Sequence, residues 1–185
     1  MITISEKRSA KWPGDTRKPR MPKTYGPAKS SENATIHTAA ADEPIAGGFF
    51  VVADGKIAQV GTAAEFQKLP ADAGERRDLG GAVVIPGLVD THSHVGIAPR
   101  PAVPAHADLG ESSGPVQPGL RDLDAIMPDD PGIRMALSGG VTTANVMPGS
   151  GTVIGGQTVY LKYRGRTIEE MRITGRLPDG TVILG

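Results

Sequence analysis

The segment Val83-Val84-Ile85-Pro86-Gly87-Leu88-Val89-Asp90-Thr91-His92-Ser93-His94 decides how the rest of the chain is read. Ala82 to Ile85 is an apolar run of buried-strand character, and Pro86-Gly87 breaks it. A second run, Leu88 to His94, starts at once. Side chains alternate along a strand, so Asp90, His92 and His94 share one face while Val89, Thr91 and Ser93 share the other. Imidazoles two residues apart stand roughly 6–7 Å from each other at the backbone and can converge on one divalent ion. Neutral imidazole suits zinc, iron, nickel or copper and does not suit calcium. A His-x-His pair also arises by chance on surfaces. Here an apolar lead-in, a carboxylate on the same face and the glycine and proline that follow set it apart.

Outward from this segment, the chain reads as short strands joined by turns. Upstream, Thr35 to Thr38 and Phe49 to Ala53 are strands, and Lys56 to Val60 pairs with the latter across Asp54-Gly55. That dipeptide accepts positive φ at both centres of a type I′ turn. Thr62-Ala63-Ala64-Glu65 is a capping box that opens a helix from Ala63 to Leu69, ended by Pro70. Downstream, Asp129-Asp130-Pro131 caps a helix that Gly139-Gly140 ends, and Val141 to Met147 follows as a strand. Leu88 to Met147 is therefore a strand, a Pro/Gly-rich excursion, a helix and a parallel strand. Thr158 to Tyr163 reads as a further strand, Thr167 to Glu170 as a second capping box, and Pro178-Asp179-Gly180 as a turn. Thr181 to Gly185 reads as an apolar strand with no partner after it.

Composition agrees with a turn-rich α/β fold. The 185 residues include 25 Gly and 16 Pro, which weaken helix interiors and argue against a helical bundle. Cysteine is absent, which excludes disulfides, thiolate zinc sites and cysteine nucleophiles. No run approaches the roughly 18 apolar residues of a membrane span, and no secretory signal is visible, so a cytoplasmic protein away from membranes is expected. Twenty basic residues balance twenty acidic ones, but not evenly. Up to Ser31 there are eight basic residues against two acidic. Residues 1–31 are therefore expected to be a basic, disordered tail. Trp12 and Tyr25 are too few to argue for a nucleic-acid arm.

The string from Val83 to His94 resembles the opening motif of the amidohydrolase superfamily, metal-dependent hydrolases in which a small β-sandwich accompanies a (β/α)8 barrel. Ala34 to Thr38 and Val51 to Gly61 are similar to that family's sandwich opening. Gly139-Gly140-Val141-Thr142-Thr143 with Pro148-Gly149-Ser150-Gly151 is similar to the second barrel strand of an imidazolonepropionase-like subgroup. The resemblance implies the N-terminal part of the β-sandwich over residues 32–87 and the first strands of an incomplete barrel over 88–185. It makes His92 and His94 the first two metal ligands, with Zn²⁺ as the first choice of divalent metal, and Asp90 a support for them. A lysine or glutamate, two more histidines and a late aspartate would complete such a site. Outside the pair only His37 and His106 remain, neither in a matching context.

The remaining motifs carry less. Gly149-Ser150-Gly151 with Gly155 misses the dinucleotide spacing by one residue, and Gln157 stands where a P-loop needs lysine. His37 reads as a hydrogen-bonded strand histidine and His106 as solvent-exposed. Asp108 and Glu111 read as exposed loop acids, and Asn33-Ala34-Thr35 as a glycosylation triplet without meaning in the cytoplasm. Nothing sets Ser93 against a base. The expectation is a metal-dependent amidohydrolase acting on amide or cyclic-amide C–N bonds of a small molecule, represented by an N-terminal fragment. A partner chain then supplies the rest of the barrel. The alternative is a catalytically inactive fragment or subunit that needs such a partner; a nucleic-acid protein using the basic tail ranks third.

Overall fold

A computed structural model describes residues 29–70, 74–98, 100–176 and 182–184. The basic tail up to residue 28, with Trp12 and Tyr25, the Pro178-Asp179-Gly180 turn and Gly185 lie outside them. The chain divides after Pro86 into two compact units.

The unit up to Pro86 is built on one mixed sheet. Strands β1 (Lys29–Ile36), β2 (Ile45–Ala53) and β3 (Lys56–Gly61) form an antiparallel meander. The short strands β4 (Glu75–Asp78) and β5 (Val83–Val84) pair parallel to β1. Asp54 (φ 51°) and Gly55 (φ 70°) adopt the left-handed conformation that a type I′ turn requires. Strand β2 is covered on both faces by period-two alternation. Phe49 and Val51 pack with Phe66, and Phe50 packs with Ala34 and Ile36. The Phe49 and Phe66 rings lie 5.1 Å apart. Phe66 belongs to helix α1 (Ala63–Phe66), and the Glu65 carboxylate accepts from both the main-chain N–H and the hydroxyl of Thr62.

Three expectations are corrected in this unit. The first strand begins at Lys29, inside the stretch read as tail, because Lys29 to Ser31 pair with both β2 and β4. Val83 and Ile85, read as buried, are 64% and 50% exposed; β5 is only two residues long and pairs on one side, so only Val84 reaches the core. His37 lies one residue past β1 and its side chain is exposed.

The unit from Gly87 holds a second mixed sheet in the order β6 (Leu88–Ser93), β7 (Val141–Val146), β8 (Val159–Lys162). Strands β6 and β7 are parallel, and β8 is antiparallel to β7. Between β6 and β7 run a 3-10 turn at Pro104–His106, the short helix α2 (Asp122–Ala125) and helix α3 (Pro131–Ser138). Helix α3 starts where Pro131 follows Asp130, whose carboxylate accepts from the Gly132 N–H at 2.8 Å. Ile97, Ile126, Ile133, Val146, Leu161 and Met171 form the core, Met171 coming from helix α4 (Ile168–Met171).

Gly87 is required by close approach: a Cβ there would collide with the side chain of Thr142 on β7. The sheet is open among the described residues, and β6 has one strand neighbour. The terminal strand, read as unpaired, is β10 (Val182–Leu184), and it forms an antiparallel ladder with β9 (Thr174–Arg176). It therefore has a strand partner on one side, which the sequence pattern alone did not reveal. The fold is mixed α/β, as its composition predicts.

Candidate metal centre

His92 lies on β6 and His94 one residue past its end, where β6 and β7 finish side by side. The Met147 N–H donates to the Ser93 carbonyl at 3.0 Å, and this continues the ladder beyond β7. Met147 is thereby brought beside His94, whose Nδ1 lies 2.7 Å from the Met147 carbonyl oxygen. The two imidazole rings stand edge to face with centroids 5.3 Å apart. Two imidazoles sharing one tetrahedral ion at about 2.1 Å have ring centres about 5 Å apart, so the pair stands at a separation at which it could hold a common divalent metal. In the neutral ring a carbonyl partner on Nδ1 leaves Nε2 of His94 with its lone pair, the arrangement that metal-ligating histidines use.

Asp90 stays on the same strand, but its carboxylate is engaged locally: Oδ1 accepts from the main-chain N–H of His92 at 3.1 Å. Among the described residues no group of three or more His, Asp or Glu side chains is placed to hold a metal. A register irregularity between Asp90 and Ser93 interrupts the strict alternation expected along β6, and Asp90 and Ser93 pair with Ala144 and Val146 of β7. Ser93 is buried, and its hydroxyl lies 3.3 Å from the Tyr163 hydroxyl. Burial pushes the Tyr163 phenol above its ordinary pKa, against the Ser93 hydrogen bond.

Two acids have parts that the sequence did not announce. Asp130 is more than a helix cap. It is 1% exposed and also accepts from the N–H groups of Gly96 (2.9 Å) and Arg100 (3.0 Å), tying the turn that follows His94 to the start of α3. Asp122, at the start of α2, is 6% exposed, and its Oδ2 has no hydrogen-bond partner among the described residues. Burial pushes its carboxyl up to about 6, while the nearby His94 imidazole pulls it down. In sequence it is one more acid in Arg121-Asp122-Leu123-Asp124; only burial distinguishes it.

A cavity of about 290 Å³ opens beside this region, lined in part by Asp108, Glu111, Arg121, Asp122, Asp124 and Pro148. Asp108, Glu111 and His106 are exposed, as read. Ser113 N–H donates to Glu111 at 2.7 Å and holds that carboxyl below its usual range. The amides of the glycine loop are used within the unit: Gly149 N–H donates to Leu109, and Val153 and Ile154 N–H both donate to Pro115. They do not form a phosphate cradle.

No family model matches the chain. Among curated proteins it is similar to an amidohydrolase, tasK, of Hapsidospora irregularis, at 35% identity over 63% of this chain and 12% of that protein. It is also similar to the imidazolonepropionase of Paracoccus denitrificans, at 27% identity over 70% of this chain and 36% of the relative. Among solved structures it resembles an amidohydrolase from Thermotoga maritima, with TM-score 0.68 and 34% identity over 78% of this chain and 36% of that one. The chain thus spans between 12% and 36% of the length of these three proteins. It is a homologue of the amidohydrolase family, imidazolonepropionases included, over a segment of those longer proteins.

Proposed function

We propose that the chain forms part of a metal-dependent hydrolase of non-peptide C–N bonds, cyclic amides above all, in which β6 and β7 are the first strands of a (β/α)8 barrel. The observation that carries this reading is the edge-to-face pair His92–His94 with His94 Nδ1 fixed by the Met147 carbonyl. Active sites of such barrels lie at the C-terminal ends of the strands, where this pair stands. A bound divalent ion, Zn²⁺ by first choice, lowers the pKa of water toward about 7 and polarises a scissile carbonyl.

The residues of this chain hold that arrangement in place. Met147 fixes the ring of His94, and Asp90 fixes the main chain at His92. Asp130 anchors the turn after His94 through Gly96 and Arg100. Met147 offers only a main-chain carbonyl and Asp130 is held by three N–H donors, so neither accepts the proton of an attacking water. Asp90 is taken here as a support for the ligands, and a missing proton acceptor costs about 10²–10⁴-fold. In this reading the base and the remaining ligands come from further sequence or from a partner chain, and the substrate is a small molecule.

A second reading, a catalytically inactive subunit that pairs with another chain, is favoured by one observation. The histidine pair gathers no third ligand among the described residues. Assaying the protein as it occurs in its source against a panel of cyclic amides separates the two. Chelator-sensitive hydrolysis that His94→Ala abolishes supports the enzyme. Bound metal without turnover supports the subunit, and turnover indifferent to both chelator and His94→Ala contradicts the enzyme.

A further inference from the structure

The cavity beside the histidine pair has an unusual charge balance. Four carboxylates line it, Asp108, Glu111, Asp122 and Asp124, with Arg121 as the cation. The Arg121 guanidinium is taken up by Asp124 in a two-point pair, Nε to Oδ2 at 2.9 Å and Nη2 to Oδ1 at 2.7 Å. Asp108, Glu111 and Asp122 have no cationic partner among the described residues. Asp122 is the informative one. It is nine-tenths buried, and one carboxylate oxygen is sealed from solvent with no donor to meet it. A carboxylate buried without donors is costly, and such groups cluster at ligand sites where the ligand supplies what is missing.

From this we propose that the cavity binds an organic cation, the guanidinium or ammonium end of a small-molecule substrate, with Asp122 as its buried counter-charge and Asp108 and Glu111 at the rim. The inference rests on the amidohydrolase reading only for the word substrate. A compact metal cage is the poorer fit, because the acids are spread around about 290 Å³ and do not converge as a ligand set. Guanidinium presents five N–H donors in a plane and ammonium three, enough to meet separate carboxylates at once. Pro148 lines the cavity and directly follows Met147, whose carbonyl holds His94, so a ligand anchored at Asp122 lies beside the histidine pair. The same charge repels a carboxylate-bearing ligand, so the cavity selects by charge as well as by contact.

The test is binding, not turnover. The full chain is titrated at neutral pH with propylguanidinium and, separately, with butyrate of similar size, followed by calorimetry and by amide NMR shifts. Saturable propylguanidinium binding, with shifts at Asp122 and Glu111 and none for butyrate, is expected. Asp122→Asn weakens it by about tenfold or more. His92→Ala, which removes one member of the pair without touching the His94–Asp122 neighbourhood, keeps the propylguanidinium affinity while weakening Zn²⁺ binding, so failure of the metal reading is distinguishable from failure of this one. No saturable binding, equal binding of butyrate, or equal affinity in Asp122→Asn overturns the proposal. If Asp122→Asn does not fold, Glu111→Gln at the rim decides: weaker binding supports the site, unchanged affinity overturns it.

Discussion

The main-chain oxygen of Met147 lies 2.7 Å from Nδ1 of His94 and fixes the ring at the end of β6. A carbonyl oxygen only accepts, so Nδ1 carries the hydrogen, and in the neutral ring Nε2 keeps its lone pair. The tautomer of the neutral ring is therefore set by the main chain just past β7, and it is the one that leaves Nε2 available to an ion.

The neutral His94 ring is accordingly predicted to be the Nδ1–H tautomer. Long-range ¹H–¹⁵N NMR of the metal-free chain reads this directly. A dominant Nε2–H signal contradicts the Met147 anchor.

Asp130 satisfies three main-chain donors, from Gly96, Arg100 and Gly132, while almost fully buried. Asp130→Ala leaves all three without that partner and removes a helix cap, so a loss of about 2–4 kcal/mol is expected in urea unfolding. Asp130→Asn keeps one acceptor oxygen and falls between. A change within about 0.5 kcal/mol for the alanine variant contradicts the role given to this carboxylate.

Gly87→Ala drives a methyl into Thr142, which is 3% exposed and cannot move aside. A cost of about 1–3 kcal/mol is expected. Thr142→Ala in the same chain makes room, so the double variant recovers part of the loss and the cycle shows coupling of about 1 kcal/mol or more. Additive effects contradict the contact.

Asp122 has an ordinary pKa of 3.8 that burial raises to about 6 in the folded chain. Between these values the folded state holds the proton that the unfolded state has released. The contribution is thus fully present below about pH 3.8 and lost as pH rises through about 6. Asp122→Asn removes this loss. The variant is expected to match the wild type near pH 4 and exceed it near pH 7 by about 1–2 kcal/mol, after allowance for solvent screening. Chemical unfolding at the two pH values checks this, and a wild-type advantage at neutral pH contradicts it.

What the sequence disclosed followed the range of the interaction. The Asp54-Gly55 turn, the Thr62–Glu65 cap and the Asp130-Pro131 helix start are decided within a few residues, and all three stand in the structure. The Pro86-Gly87 break before the strand that carries His92 and ends just before His94 was legible for the same reason. Strand limits were not, because pairing between distant segments sets them: Lys29 is held by Val52 and Glu75, and Leu184 by Thr174. Exposure of Val83 depends on whether another layer covers β5, which an apolar run cannot say. Asp122 was missed because its distinction is burial beside His94, across an excursion of nearly thirty residues, and nothing in its neighbours marks it.

The central claim is that His92 and His94 together bind a divalent metal. Calorimetric titration of metal-free chain with Zn²⁺, wild type against His92→Ala/His94→Ala, tests it most directly. The account predicts one equivalent bound by the wild type, weakly because two protein ligands fall short of the usual three or four, and none at that site in the double variant. Equal stoichiometry and affinity in the two proteins would contradict it.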